Sequence, residues 1–444
     1  MLINSILSAV HSRVSFIYNK SVILQNIDWL IFINIILLIL SSTFATSDFV
    51  GYFAIFIIIL TAIKITFNPN EKFCLTSLDK WLLLYFLFVL ISVAGSSLLA
   101  LSMKGFSKTL IYIGFYIGFI HYLKDNKSKL KYIFLALAFA LFSESLVALK
   151  QNFLSVSEIS GWQDMSRLNP EQIMTRVYGT VKPYNPNLFG GYMLSILPAS
   201  LILVFLPLRN KHYKTALFGF LCFLLGATSI IMTGCRGAYL GLFAQLFVIA
   251  CFVYKFLKPI YKKLYLIFSS VLSGLLFFVL LSITSLRARI FSIFAMRSDS
   301  SNSFRFNVYN SCIEMFKDNW LLGIGVGNQN FREIYGLYMK TGFDALSAYN
   351  IYLEVAVESG IFALLSFILF ISTAIVSSAR YIMRRDNINS IYLLITLASL
   401  VGIFIHGIVD TVFFRPQIQF TFWIMIGIIR VLAFPKGFYV RERN

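Results

Sequence analysis

Three arginines stand between apolar stretches of the chain, and the guanidinium group suits the binding of an anion. Arg176 lies in TRVYGTVKPYNPN, Arg236 in MTGCRGAYLG and Arg305 in NSFRFNVYNSC. A guanidinium at the edge of a bilayer is costly unless it meets an anion or carbonyl groups, and its planar fork suits paired hydrogen bonds to phosphate or carboxylate. The three arginines predict either one shared anion site or separate contacts with lipid headgroups and nearby acids.

Carboxyl, amide and phenol groups form a second set of candidates. Glu354 and Glu358 are four residues apart in SAYNIYLEVAVESG, so a helix places both on one face. The pair is suited to proton transfer or to pairing with the arginines, and a solvated helix face is the alternative. Tyr349 and Asn350 in the same segment, and Asn187 at the start of an apolar run, are able to hydrogen-bond a ligand.

An ionisable pair lies inside an apolar run: His406 and Asp410 are four residues apart. Such an embedded pair is either a proton-transfer site or a structural pair. Four histidines and five cysteines show no metal-ligand spacing, so we expect no metal and no other cofactor. Of the cysteines, Cys235 and Cys312 fall on the same predicted side, and the sequence leaves open whether they are paired.

A glycine-rich segment, residues 320–328, contains Gly323, Gly325 and Gly327. It resembles a phosphate-binding loop only in outline, because the strand-to-helix setting and the spacing of such loops are missing. Close packing of this loop on neighbouring helices is the better interpretation.

Apolar runs of membrane-spanning length must position all these residues. The chain has 444 residues, of which 58% are hydrophobic and 13% charged, whereas soluble domains carry about 25% charged residues. A spanning helix needs about 20 mostly apolar residues. The sequence therefore predicts an all-α polytopic membrane protein of about twelve transmembrane helices, with a large external loop subdomain between helices 9 and 10. The predicted spans are 29–46, 49–66, 81–100, 106–123, 132–149, 188–207, 215–233, 237–256, 264–284, 360–378, 391–410 and 418–434.

These spans divide the chain into four parts. Residues 1–28 form an N-terminal amphipathic segment at the membrane interface, and residues 29–284 hold spans 1–9 with an external loop at 151–187. Residues 285–359 form the large external subdomain, and residues 360–444 hold spans 10–12 and a cytoplasmic tail. Long loops beside a membrane bundle often carry function.

The net charge of +19 is explained by orientation. Lysines and arginines cluster in alternate short loops, as in the group at residues 124–131 and the group at residues 255–263. Under the positive-inside rule, both termini are cytoplasmic. Because the basic excess follows the loops, it gives no reason to expect a nucleic acid partner, and membrane lipid is the expected surrounding.

The chain resembles the O-antigen ligase and polymerase superfamily through an ordered set of motifs. They are Arg176-x-x-Gly179, Asn185-Pro-Asn187, Thr233-Gly-Cys-Arg236-Gly237, Arg305-Phe, Gly323-x-Gly325-x-Gly327 and Tyr349-Asn350-x9-Gly360. The loop between spans 9 and 10 agrees with this resemblance. Within the superfamily, the segments around Arg305 and Tyr349 look most similar to a cyanobacterial branch described as inorganic carbon (bicarbonate) transporters.

The resemblance implies a location in a bacterial inner (plasma) membrane, a function and roles for residues. Family ligases transfer a glycan from undecaprenyl diphosphate to an acceptor at the external membrane face, without a metal. By resemblance, Arg176 and Arg236 hold the diphosphate and Arg305 assists. The ligases place a catalytic histidine directly before the asparagine of the last motif, where this chain has Tyr349. A tyrosine with its usual pKa near ten is a poor general base at neutral pH, so this departure bears directly on the chemistry.

Three classes of function therefore stand open. The first is a metal-independent glycosyltransferase or binder of a polyprenyl-diphosphate-linked saccharide, with Tyr349, Glu354 and Glu358 as catalytic candidates. The second is a transporter of a small anion such as bicarbonate, with His406 and Asp410 coupling protons. The third is a membrane scaffold. The sequence does not determine the substrate, the acceptor or the oligomeric state.

Overall fold

The fold is a bundle of long helices with a smaller group of helices at one end. A computed structural model of the protein describes residues 2–153 and 175–435, and no strand occurs within these ranges. The predicted all-α architecture is therefore confirmed. The helices are α1 (Leu2–Lys20), α2 (Val22–Gln25), α3 (Ile27–Ser41), α4 (Ser47–Phe67), α5 (Ser77–Ala94), α6 (Leu99–Leu123), α7 (Leu130–Phe153), α8 (Pro186–Ile196), α9 (Ile202–Arg209), α10 (Tyr213–Met232), α11 (Arg236–Phe256), α12 (Pro259–Ser282), α13 (Thr284–Phe291), α14 (Ser300–Asp318), α15 (Asn328–Tyr335), α16 (Ile351–Arg384), α17 (Ile388–His406) and α18 (Pro416–Ala433).

Eleven candidate spans are long and apolar enough to cross a membrane within the described ranges, compared with the twelve predicted. The difference is the predicted fourth span, which falls in α6. This helix has 25 residues, but Lys104, Lys108 and His121 interrupt its apolar sequence, and it is not among the eleven. The predicted sixth span consists of α8 and α9 joined by a 3-10 segment, Leu197–Leu201, which contains Pro198.

The spans differ widely in how much of each is buried within the protein. The most apolar stretch of α18 is 89% buried, whereas that of α12 is 0% buried. The helix α18 therefore lies at the centre of the bundle, and α12 lies at its edge with its apolar surface uncovered by protein.

On the predicted cytoplasmic side, the buried charges of the described residues are paired. Arg430 Nε donates to Asp79 Oδ2 at 2.6 Å across the bundle, and Lys64 lies 2.9 Å from Asp28. Glu71 accepts hydrogen bonds from His121 and Lys124. Since an unpaired charge in such surroundings is strongly destabilising, these pairs fix the helices relative to one another.

A break at Gly360 divides α16 into two half-helices. Gly360 has φ 78°, and a Cβ there would collide with the carbonyl oxygen of Leu321. The break leaves backbone carbonyl groups without a helical hydrogen-bond donor, and the glycine-rich loop supplies donors for them. Ile324 N–H donates to Val357 O at 3.0 Å, and Gly325 N–H donates to Glu358 O at 2.9 Å.

The glycine-rich loop packs closely on the bundle, as predicted. Gly323, Gly325 and Gly327 have φ of 73°, 94° and 119°, a region that favours glycine. A Cβ on Gly325 would lie 2.5 Å from the hydroxyl oxygen of Ser96. The loop therefore packs the first half of α16 against the bundle.

The predicted external subdomain contains α13, α14 and α15, and its domain boundaries stay a prediction. A separate apolar cluster joins α14 and α15 to the following loop, and it includes Val308, Cys312, Met315, Phe331, Tyr335 and Ala348. The predicted loop at 151–187 is described only in part, because residues 154–174 lie outside the described ranges. All five cysteines are free thiols, so Cys235 and Cys312 are not paired.

Candidate functional site

Three arginines surround one tight turn between α10 and α11. The turn consists of Thr233, Gly234 and Cys235, and Gly234 has φ 62°. Arg176 Nε donates to the carbonyl oxygen of Thr233 at 2.7 Å, and Arg289 Nε donates to that of Gly234 at 2.7 Å. Arg236 is the first residue of α11. The two donated hydrogen bonds fix Arg176 and Arg289 on adjacent carbonyl groups.

A chain of polar contacts links Arg176 to Arg305. Arg176 Nη2 donates to Asn187 Oδ1 at 2.6 Å, and Asn187 Nδ2 donates to Asp410 Oδ2 at 3.2 Å. Arg305 Nη2 donates to the same carboxylate oxygen at 3.4 Å. Asn187 is held in place by the start of α8, where Asn185 Oδ1 accepts from its backbone N–H at 2.8 Å.

Arg236 forms an ion pair with the subdomain. Its Nη1 donates to Asp299 Oδ1 at 2.9 Å and to the backbone oxygen of Ser292 at 3.1 Å. Asp299 also caps α14, because Oδ1 accepts from Asn302 N–H at 2.9 Å. Arg236 Nη2 is buried without a hydrogen-bond partner among the described residues.

The electrostatics of this arginine cluster (Arg176, Arg236, Arg289 and Arg305) favour an anion. Burial lowers the pKa of Arg289 to about 10, and the charges of Arg176 and Arg236 act in the same direction. Burial also lowers the pKa of Arg176, with added repulsion from Arg236 and Arg305. Such mutual repulsion is relieved when a negative group binds among the guanidinium groups.

Arg289 was not predicted from the sequence. It lies in SLRARIF beside Arg287, and the two arginines look equivalent in the sequence. The structure separates them, because Arg287 is exposed whereas Arg289 reaches the turn. The missing signal is the start of α13 at Thr284. Within a helix, the two-residue spacing places the two side chains on different faces.

Tyr349 lies beside the arginine cluster in a left-handed backbone conformation, with φ 50°. The guanidinium carbon of Arg305 lies 5.8 Å from the centre of its ring. Burial raises the pKa of the Tyr349 hydroxyl, and the negative charge of Asp410 raises it further. The phenol is therefore neutral near pH 7 and even less suited to act as a general base than an ordinary tyrosine.

Asn350 is engaged at both ends of its amide. Its Oδ1 caps α16 by accepting from Tyr352 N–H at 2.9 Å, and its Nδ2 donates to Ile408 O at 2.9 Å. The structure thus gives this predicted ligand-binding residue a role in joining α16 to the end of α17.

Glu354 and Glu358 are both buried, so the alternative of a solvated helix face is wrong. Glu354 Oε2 accepts from Ala348 N–H at 3.0 Å, and Glu358 Oε1 accepts from Gly327 N–H at 2.9 Å. Each carboxylate holds a loop to the first half of α16. Their predicted catalytic role stays a prediction.

His406 contacts Cys235 in the turn, with Nε2 and Sγ 3.6 Å apart. Its ring fits between two helices because Gly191 and Gly237 face it; a Cβ on Gly191 would lie 3.0 Å from the ring. Burial raises the pKa of Cys235, but the nearby His406 outweighs that effect and the pKa is lowered. His406 and Asp410 line one small cavity with Gly191.

The fold and this site together define a polytopic α-helical membrane protein with an arginine cluster at one end of its bundle. Residues 220–368, about a third of the chain, match the O-antigen ligase family model. The predicted resemblance to the O-antigen ligase superfamily is confirmed by this match. The matched range contains Arg236, Arg289, Arg305 and Tyr349. No curated protein matches the chain. The narrower resemblance to the cyanobacterial bicarbonate-transporter branch stays a prediction.

Proposed function

We propose that this protein binds a polyprenyl-diphosphate-linked glycan at the external face of a bacterial plasma membrane and transfers the glycan to an acceptor. The observation that carries the proposal is the convergence of Arg176, Arg236 and Arg289 on one turn, with Arg305 joined to them through Asp410 and Asn187. The loops that hold these arginines lie on the side of the bundle that the distribution of lysines and arginines predicts to be external.

The arginine cluster would promote the transfer step by stabilising the leaving group. The acceptor oxygen forms a bond to the anomeric carbon of the glycan while the bond from that carbon to the diphosphate breaks, and the electron pair passes to the diphosphate. Guanidinium groups already in position stabilise the negative charge that develops there. The acceptor proton passes to an oxygen of the departing diphosphate, which has taken up the electron pair, and the neutral Tyr349 lies beside Arg305.

The test is the surface glycan of a strain that lacks the protein, complemented with variants. Arg236→Ala removes the guanidinium that pairs with Asp299, and we expect loss of the glycan that the wild-type gene restores. Arg332→Ala is the matched control, since Arg332 is an exposed arginine of the same subdomain that pairs with Asp344. An unchanged glycan profile in the deletion strain would refute the proposed function.

Transport of a small anion such as bicarbonate is the second candidate. The observation that favours it is the buried His406, which lies beside the turn of the arginine cluster and lines a cavity with Asp410. A proton acceptor at that place would allow proton-coupled movement of an anion. Purified protein reconstituted in vesicles should then take up labelled bicarbonate, and His406→Gln should abolish the uptake. Absence of uptake by the wild type would exclude this candidate.

A further inference from the structure

Glu144 brings a carboxyl group into the apolar interior of the bundle. It belongs to α7, and only 2% of its surface is exposed. Its hydrogen bonds within the described ranges are to Thr180 alone, and no lysine, arginine or histidine of those ranges pairs with it. An ionised carboxylate without a cation is strongly unfavourable in such surroundings, and a carboxyl group placed there keeps its proton instead.

The hydrogen bonds around Thr180 also favour a protonated Glu144. Thr180 Oγ1 lies 2.5 Å from Glu144 Oε1 and 3.2 Å from the backbone oxygen of Thr43. A hydroxyl group has one proton, so it donates to only one of these two oxygens. If the Glu144 carboxyl group donates to Thr180 Oγ1, the Thr180 hydroxyl is free to donate to Thr43. Thr180 N–H donates to Glu144 Oε2 at 3.0 Å, so every group in this chain then has a partner. A carboxylate would leave the Thr43 oxygen without this donor.

The loop that contains Thr180 follows a fixed path over α7. Gln151 Oε1 accepts from Tyr178 N–H at 3.0 Å and from Gly179 N–H at 2.9 Å, and Gln151 Nε2 donates to Gly179 O at 3.0 Å. Gly179 has φ 61°, and a Cβ there would collide with Glu144 Oε2, so the backbone passes directly against the carboxyl group. Arg176 lies in the same loop, three residues before Gly179. Glu144 and Gln151 therefore determine where this loop runs.

We propose that Glu144 is protonated in the folded protein and acts as a positioning residue, whose carboxyl group fixes the loop that carries Arg176. The effect on glycan transfer rests on the proposed function, whereas the proton on Glu144 and the attachment of the loop do not. A protonated carboxyl group supplies one donor and one acceptor, which match the hydroxyl oxygen and the N–H of Thr180. Glu144 thus acts through Thr180 and the loop backbone.

The proton is tested by infrared difference spectroscopy of the purified full-length protein in nanodiscs at neutral pH. Protonated carboxyl groups and carboxylates absorb in separate bands. Glu144→Gln keeps a donor and an acceptor but removes the acid, so the wild-type spectrum minus that of the variant should contain the band of a protonated carboxyl group. Glu333→Gln, which removes an exposed carboxylate of α15, is the matched control and should give carboxylate bands. Carboxylate bands in the Glu144 difference spectrum would overturn the assigned proton.

The attachment of the loop is tested by hydrogen exchange in a peptide that covers residues 175–182. Glu144→Gln should exchange like the wild type, because its amide reproduces both contacts with Thr180. Glu144→Leu removes both contacts and should speed exchange of the Thr180 amide roughly 10-fold, the loss of about one hydrogen bond. Thr180→Val removes only the hydroxyl, leaves α7 unchanged and should give a smaller increase. Wild-type exchange in both variants, or in Thr180→Val alone if the leucine variant does not fold, would overturn the attachment.

The surface glycan of the complemented deletion strain tests the positioning role. Glu144→Gln should restore the glycan, and Glu144→Leu should restore less of it at equal amounts of protein in the membrane. Normal glycan with Glu144→Leu, despite faster exchange in the loop, would overturn the positioning role while the proposed function stands. An unchanged glycan in the deletion strain itself would refute the proposed function, and the infrared and exchange results would still decide the proton and the attachment of the loop.

Discussion

Two substitutions at Glu358 distinguish a catalytic role from a structural one, because they remove different parts of its side chain. Glu358 Oε1 accepts from Gly327 N–H at 2.9 Å, and its side chain is largely buried between the glycine-rich loop and α16. Glu358→Gln keeps a carbonyl oxygen for that N–H but removes the titratable group. Glu358→Ala removes both. The first variant tests proton transfer, and the second tests the attachment of the loop.

The expected magnitudes follow from this contact. Glu358→Ala leaves the Gly327 N–H without its acceptor, which costs ~1–3 kcal/mol. Loss of the buried side chain adds a cavity term of ~1 kcal/mol. We therefore expect Glu358→Ala to lower the free energy of unfolding by ~2–4 kcal/mol, and Glu358→Gln to change it by ~1 kcal/mol or less. Both variants should keep whatever activity their folded fraction supports.

The assay combines thermal unfolding in nanodiscs with the rate, per folded molecule, of the glycan transfer proposed above. A catalytic carboxyl would behave differently, because removal of a general acid or base typically slows a reaction by about 10²–10⁴-fold. A stable Glu358→Gln variant with such a loss of rate would refute the structural role and support the catalytic prediction. Equal stability of the alanine and glutamine variants would refute the energetic reasoning.

Three further predictions concern the backbone break, the buried charges and the phenol. Gly360→Ala forces a Cβ into a left-handed conformation and against Leu321 O, so it should lower the unfolding temperature, whereas Gly274→Ala, with open space around it, should not. Burial raises the pKa of Glu71, but the contacts with His121, Lys64 and Lys124 outweigh this and hold it at about 2, below the unfolded value of 4.5. The lowered pKa of Glu71 stabilises the folded state by about 3 kcal/mol, and this stabilisation should be present above pH 4.5 and be lost as the pH falls towards 2. Thermal unfolding of Glu71→Gln should lack this pH dependence. Tyr349→Phe should slow transfer by ~10-fold or less, the effect of one neutral hydrogen bond, and a 1000-fold loss in initial rate would instead indicate a general base.

The sequence predicts those features that depend on long apolar runs or on a residue type that is rare in its setting. Apolar runs of about twenty residues identify membrane helices because the hydrocarbon core demands this length. Arg236, in a very short turn between two apolar helices, is conspicuous for the same reason. The close packing of the glycine-rich loop was also predictable, since the usual spacing of a phosphate-binding loop is missing.

Features that depend on the direction of a single side chain were not predictable. Arg287 and Arg289 differ in their contacts only through the face of α13 on which each lies. Asn350 looks like a ligand-binding amide, yet the start of α16 at Ile351 makes it a helix cap. Glu358 is buried because Gly360 breaks α16 and brings the loop against it, and no periodic pattern in the sequence marks that break.

The two aspartates of the cluster have consequences for both stability and binding. Without Asp299 and Asp410, four guanidinium groups would repel one another around one turn, and α14 would lose the carboxylate that both caps it and joins it to α11. When both aspartates are present, their charges offset two of the four guanidinium groups, and the site keeps an excess of two positive charges. Groups already held in place need no reorganisation when a ligand binds or when charge develops on a leaving group, and this lowers the cost of both events. Under the proposed function, these ion pairs hold the arginine cluster in place for an anion. Removing either aspartate should then weaken binding through misplaced arginines, even though it makes the site more positive.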